Sequence, residues 1–112
     1  MYIPLIGEIP EGVTTLIKVP LIPEGVTTIG VYALKGCSSL ISIVIPESVT
    51  TIHSAAFIEC TSLTFIVIPD RVRRIGHFAF SGCISLESII FPDNIRAIGH
   101  FAFSGCTALM SN

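Results

Sequence analysis

Charged residues are scarce in this chain of 112 residues, since Asp, Glu, Lys and Arg make up 12% of it, well below the usual quarter. The formal net charge is only −2, so no overall field attracts the chain to nucleic acid or to an acidic membrane surface. No apolar run approaches the roughly 20 residues of a membrane-spanning helix, because prolines and polar residues interrupt every stretch. The segment from Met1 to Glu8 also lacks the basic lead and apolar core of a signal peptide. We therefore expect no nucleic-acid partner and no membrane span, and these features alone assign no compartment.

Motifs of catalysis and cofactor binding are also missing. Neither a Walker loop nor a dinucleotide-binding fingerprint occurs. Serines are common, but Ser39, Ser62 and Ser85 recur at the same position of a repeat and need no catalytic explanation. A nucleophile needs a base and a third, orienting group in one pocket, and repetition supplies copies instead. We expect no enzyme and no cofactor.

A strict repeat of 23 residues is what the sequence does contain. The segment Ile22–Gly30 returns as Ile45–His53, Ile68–Gly76 and Phe91–Gly99, without any insertion. Such a period is typical of a solenoid, in which residues one repeat apart become neighbours about 5 Å apart on stacked strands.

Each repeat unit has three parts. Leu40, Ile43 and Ile45 follow the alternation of a half-buried strand, and a proline then ends that strand. Val49 and Ile52 flank two polar residues, which predicts a short second strand, so that two parallel ladders run along the solenoid. A helical turn or an irregular bend is expected on the third side, where a small residue precedes a large one. A left-handed corner is expected in the next column, which holds Gly36, Glu59, Gly82 and Gly105.

The repeats predict one domain, residues 1–112. Residues 1–21 form a degenerate N-terminal coil or cap, because the segment beginning at Ile9 precedes its copy at Ile22 by 13 residues instead of 23. Residues 22–112 hold about four 23-residue repeats, the last of them incomplete. An open ladder edge at the C-terminal end is a template for another strand, so self-association through that edge is a possible outcome.

The segment from Gly36 to Phe57 resembles the BspA-like class of leucine-rich repeat. About ten columns recur in register over residues 22–112. The resemblance implies a mainly β, right-handed solenoid of leucine-rich-repeat type, with parallel strand ladders and short helical or irregular turns. It also implies a non-catalytic binding module, adhesion-like, on the cell surface or secreted. His53, Glu59 and Leu34 depart from the pattern and affect the local corner geometry.

Cysteines and histidines offer two weaker hypotheses of a metal site. Each repeat carries one cysteine, and a column of parallel side chains suits neither zinc nor a disulfide, so four buried free thiols are the better interpretation. His77 and His100 share one column, where their rings are expected about 5 Å apart. No carboxylate or third histidine accompanies them in that column, so a structural surface pair is favoured over a metal site. The cysteines are Cys37, Cys60, Cys83 and Cys106.

Two surfaces are candidate binding sites. The outward residues of the first ladder carry branched aliphatic side chains and one aromatic, and exposed apolar surface commonly marks an interaction site. Ordinary β-propensity is the competing explanation. A secondary basic patch lies on the second ladder, where pairing with a neighbouring acidic column (Glu24, Glu47, Asp70 and Asp93) is favoured over an acidic partner or glycan. The interaction face comprises Ser42, Val44, Phe65, Val67, Ser88 and Ile90, and the basic patch comprises Arg71, Arg73, Arg74 and Arg96.

These features predict a repeat module that binds a protein or glycan ligand. A structural or self-assembling solenoid segment without an external ligand is the alternative, and light scattering over a concentration series distinguishes the two.

Overall fold

A computed structural model describes residues 22–110 of the chain. The predictions for residues 1–21 and for Ser111 and Asn112 lie outside the described residues. Within residues 22–110, six short strands and one helical turn occur in this order: β1 (Thr28–Ile29), β2 (Thr51–Ile52), β3 (Phe65–Val67), β4 (Arg74–Ile75), β5 (Ser88–Ile90), β6 (Ala97–Ile98) and α1 (Thr107–Met110).

The strands form two parallel sheets, which confirms the two ladders and the solenoid predicted from the repeat. Strands β1, β2, β4 and β6 are neighbours in that order, and β3 pairs with β5. In every strand pair, the partners are residues one repeat apart: Ile29 lies beside Ile52, Ile52 beside Ile75, and Ile75 beside Ile98. In the first ladder, β3 and β5 are short because Pro69 and Pro92 follow them and have no N–H to donate.

The core fills the space between the ladders and the third side. One column stacks the rings of Phe57 and Phe80 at 5.0 Å, and those of Phe80 and Phe103 at 5.4 Å. Each fully buried large side chain contributes about 1.5–3 kcal/mol of hydrophobic stabilisation. The other buried columns repeat as Val26, Val49 and Val72; Ile29, Ile52 and Ile75; Leu40, Leu63 and Leu86; and Ala33, Ala56, Ala79 and Ala102.

On the third side, backbone amides alternate between two kinds of acceptor. The amides of Tyr32, Leu34 and Gly36 donate to carbonyls of the next coil, whereas those between them donate three residues back within their own turn. This side is therefore a third hydrogen-bonded connection between coils, built from turns. The expected bend is confirmed, and the alternation explains why its backbone cannot be a regular helix.

Positive φ angles accompany this alternation. Gly36, Gly82 and Gly105 have positive φ, which confirms the left-handed corner, and Glu59 with φ 60° shows that this corner is not reserved for glycine. A second positive-φ column, not foreseen from the sequence, holds Tyr32, Ala55, Phe78 and Phe101.

Candidate functional site

The six residues predicted to face outward from the first ladder, here called the outer face, are all exposed. Phe65 and Val67 are 42% and 43% exposed, while Ile66 between them is completely buried. The period-2 alternation is thus confirmed. That the outer face binds a partner stays a prediction.

Strand register places the outer face in two columns. Phe65 pairs with Ser88 in β5 and bridges to Ser42 on its other side, and Val67 pairs with Ile90. In the described residues, ladder pairing between the coil of Ser42 and the coil of Phe65 is limited to the single Ser42–Phe65 bridge, whereas β3 and β5 pair over three residues.

A cavity of about 280 Å³ opens where that pairing stops. Four of the six outer-face residues line it, so the predicted face is concave at its centre and not a flat strand surface. Its single charged lining residue is Glu47. The lining comprises Ser42, Ile43, Val44, Ile45, Glu47, Phe65, Val67 and Pro69.

The basic patch has different partners from those expected. Arg73 Nη1 donates to the backbone carbonyl of Asp70 at 2.8 Å and to Asn94 Oδ1 at 3.3 Å. Within residues 22–110, no ion pair joins the four arginines to the acidic column named above. Among the described residues the favoured cross-coil ion pairing is therefore not formed, and Arg74 lines a groove.

That groove, of about 560 Å³, follows the junction between the second ladder and the third side. His77 and His100 stack along it with ring centroids 5.1 Å apart and planes 3° apart, as expected from their shared column. The backbone N–H of His100 donates to His77 Nδ1 at 2.8 Å. Because Nδ1 acts as the acceptor in this bond, Nε2 is the ring nitrogen of His77 that is left to donate. The described part of the chain holds no group of three potential metal ligands.

An exposed aromatic column on the third side was missed. Phe78 and Phe101 stack at 5.3 Å, and the ammonium group of Lys35 lies 5.0 Å from the ring centroid of Tyr32. The signal was available, since these aromatics recur at one repeat position beside the histidine column. Their outward direction depends on the positive φ, which the repeat does not reveal.

The four cysteines are free thiols, as predicted, and three of them are buried. Cys60 Sγ donates to the carbonyl of Leu34 at 3.1 Å, and the same bond recurs from Cys83 and Cys106. Hydrogen bonds with the neighbouring thiols, together with burial, raise the pKa of Cys60. Cys37 differs because it is only partly buried. Hydrogen bonding with the Cys60 side chain, opposed by burial, lowers the pKa of Cys37, and the pKa of Cys83 is lowered in the same way.

Among the described residues, no helix is long and apolar enough to cross a membrane.

Comparisons with known proteins agree with this geometry. The family model for the BspA type leucine rich repeat region matches residues 12–111 in six copies. No curated protein matches the chain.

Three solved structures are similar to the chain. A leucine-rich repeat protein of Bacteroides ovatus is 39% identical, with a TM-score of 0.71. A leucine rich cell surface protein of Faecalibacterium prausnitzii is 40% identical, with a TM-score of 0.75, and the leucine rich repeat protein of T. pallidum is 28% identical, with a TM-score of 0.64. The matches cover 80%, 79% and 80% of this chain and 24%, 23% and 54% of those proteins, respectively. The chain thus spans about a quarter of the length of the first two.

Proposed function

This chain belongs to the BspA-type leucine-rich repeat family, and we propose that it is a non-catalytic module that binds a protein partner through its outer face. The role is adhesion-like, in keeping with the cell-surface description of the Faecalibacterium relative.

The concavity on the outer face is the observation that supports this proposal most. Exposed Val44, Phe65 and Val67 border a cavity of about 280 Å³, and an apolar side chain of a partner could fill it. Aromatic residues beside pockets are the usual anchors of protein interfaces. Ordinary β-propensity explains branched residues on a strand but gives no reason for a cavity between them.

A capture experiment with matched variants tests the proposal. The intact chain is used as bait in native extract beside the double variant Phe65→Ser, Val67→Thr and beside the control Val31→Thr, Ile84→Ser. The control removes comparable exposed apolar surface elsewhere, since Val31 is 48% and Ile84 51% exposed. We expect a partner that the wild type and the control retain and the outer-face variant loses. Equal capture by all three baits contradicts a role for the outer face.

Self-assembly is the second candidate, and the apolar surface of the fourth coil favours it. Ile98 is 47% exposed, whereas its equivalent one coil earlier, Ile75, is 2% exposed. Stacking of a second copy on this coil would bury that surface in the manner of another repeat. Light scattering over a concentration series, with Ile98→Lys as the variant, tests this: the apparent mass rises with concentration for the wild type and not for the variant.

A further inference from the structure

The groove of about 560 Å³ lies apart from the outer face, on the second ladder. One wall holds Thr51, Arg74 and Ala97, which share a column, and the opposite wall holds Ser54, His77 and His100, which share another. Gly76 and Gly99 lie between the walls and carry no side chain. Glycine is needed there because a Cβ would come within 2.4 Å of a backbone nitrogen of the preceding coil. The packing of the coils therefore leaves the groove open.

The ionisable side chains that line the groove are all basic. It includes one arginine, three histidines and the hydroxyl groups of Thr51 and Ser54, but no carboxylate. Among the described residues, no hydrogen bond or ion pair engages the exposed Arg74 guanidinium, in contrast to that of Arg73. A free guanidinium matches the geometry of a carboxylate or sulfate group with two parallel hydrogen bonds.

The histidine pair is already arranged for donation. Because His77 Nδ1 accepts from the His100 backbone, its Nε2 carries the proton. Stacking at 5.1 Å restrains both rings, so little side-chain entropy is lost when a ligand binds.

We infer that this groove binds an acidic oligosaccharide, whose carboxylate or sulfate group pairs with Arg74 while its hydroxyls meet His77, His100 and Ser54. The volume lies within the usual 300–1,000 Å³ of small-ligand sites and far exceeds the size of a lone inorganic anion. The polar lining suits sugar hydroxyls better than the apolar side chains of a peptide. A single arginine and a net charge of −2 argue against nucleic acid.

Titration of the isotope-labelled chain, followed by backbone amide shifts, tests the inference. The probes are a trimer of galacturonic acid, a sulfated trisaccharide and a neutral galactose trimer. We expect saturable shifts at Ser54, Gly76 and His77 with at least one acidic probe. The neutral trimer should bind at least about tenfold more weakly, since it lacks the charged hydrogen bonds. The acidic probe that binds identifies the source of the anionic group.

Three arginine variants distinguish a local contact with Arg74 from a general electrostatic attraction. Arg74→Ala should weaken binding of the acidic probe about tenfold, and Arg74→Lys should restore part of it. Arg71→Ala removes the same charge outside the groove and should change affinity by less than about twofold, as screened surface charges do. The outer-face variant Phe65→Ser, Val67→Thr should bind the saccharide with unchanged affinity. The groove proposal and the outer-face proposal are therefore tested independently.

Four outcomes would overturn the inference. Two concern the saccharides: the neutral trimer binds as tightly as the acidic probes, or neither acidic probe shifts an amide up to about 10 mM. The other two are an equal loss of affinity in Arg71→Ala and Arg74→Ala, and a triglutamate peptide that binds as tightly as the acidic saccharides. The last outcome would assign the groove to acidic peptides.

Discussion

At the scale of single residues, the glycines of the repeat fall into two physical classes. Gly36 and Gly82 have φ angles of 69° and 78° and occupy the left-handed corner, where Glu59 adopts the same conformation. Gly76 and Gly99 have no such φ but pack directly on the backbone of the preceding coil. The first class is replaceable at the cost of local strain, whereas the second maintains the distance between coils.

His53 indicates how a Cβ is accommodated in the second class. It occupies the column of Gly76, and beside it the Tyr32 N–Ser54 O distance is 3.4 Å, compared with 2.8 Å for Ala55 N–His77 O one coil later. The departure of His53 from the repeat thus coincides with one longer hydrogen bond, while the next bond between the same two coils, Leu34 N–Ala56 O, stays at 2.7 Å. The sequence identifies His53 as a departure from the repeat, but it does not predict which hydrogen bond between the coils lengthens.

Replacing Gly76 by Ala should be more damaging than replacing Gly36 by Ala. At Gly76 the new Cβ meets backbone atoms at 2.4 Å, and overpacking of this kind costs about 1–3 kcal/mol. At Gly36 nothing lies within 4 Å, so only the left-handed strain of about 1 kcal/mol remains. Urea unfolding of the two variants measures the difference, and equal losses would contradict the division of the glycines.

Thiol labelling should distinguish Cys37 from the other cysteines. Cys37 is partly exposed, whereas Cys60, Cys83 and Cys106 are buried, and burial shields Cys83 from the reagent although its pKa, like that of Cys37, is lowered. Because the thiolate is the reactive form, we expect one rapid modification in the native state and four in denaturant without reductant. Mass spectrometry locates the label, and Cys37→Ser should abolish the rapid phase. Fewer than four thiols in denaturant would mean that a disulfide is present.

At the scale of elements, most of the two ladders could be predicted, because the 23-residue period fixes the register and the two-residue alternation fixes the faces. Phe65, Ile66 and Val67 were assigned to the correct sides for this reason. The cavity beside Val44 was not predictable, since it depends on where pairing between two coils stops. The lack of a hydrogen bond or ion pair to the Arg74 guanidinium among the described residues was not predicted either. Charge pairing depends on how far a side chain reaches and not on its position in the repeat.

Substitutions along β3 test the face assignment by stability. Phe65→Ser and Val67→Thr change exposed strand positions and should each alter the free energy of unfolding by about 1 kcal/mol or less. Ile66→Ser buries a hydroxyl and opens a cavity in a fully buried site, which costs roughly 2–5 kcal/mol. Thermal melts of the three variants provide the comparison. Similar losses would mean that the strand register is wrong.

At the scale of the whole molecule, burial declines toward the fourth coil. Ile68 is 2% exposed and its equivalent Phe91 is 38% exposed, which parallels the difference between Ile75 and Ile98. The third side follows the same trend: the amides of Phe101 and Phe103 have no acceptor among the described residues, although their equivalents in earlier coils donate to the next coil. A coil with one neighbour keeps only part of the interface energy that stabilises a solenoid.

Unfolding should therefore begin in the fourth coil, from Gly99 onward, and hydrogen exchange can be read on matched amides. Gly76 donates to Ile52 at 2.8 Å and Gly99 to Ile75 at 2.7 Å, and each glycine follows an isoleucine, so the two amides share the same bond and the same intrinsic exchange chemistry. Cys83 and Cys106 form a second such pair, since each follows a glycine and donates three residues back.

We expect the amides of Gly76 and Cys83 to be protected at least about tenfold more than those of Gly99 and Cys106, because local opening needs less free energy where a coil has one neighbour. Appending a coil with a polar outer face should raise the protection of Gly99 toward that of Gly76. Equal protection within both pairs in the unextended chain would mean that the coils open as one unit, and that the loss of burial at Ile98 has no energetic consequence.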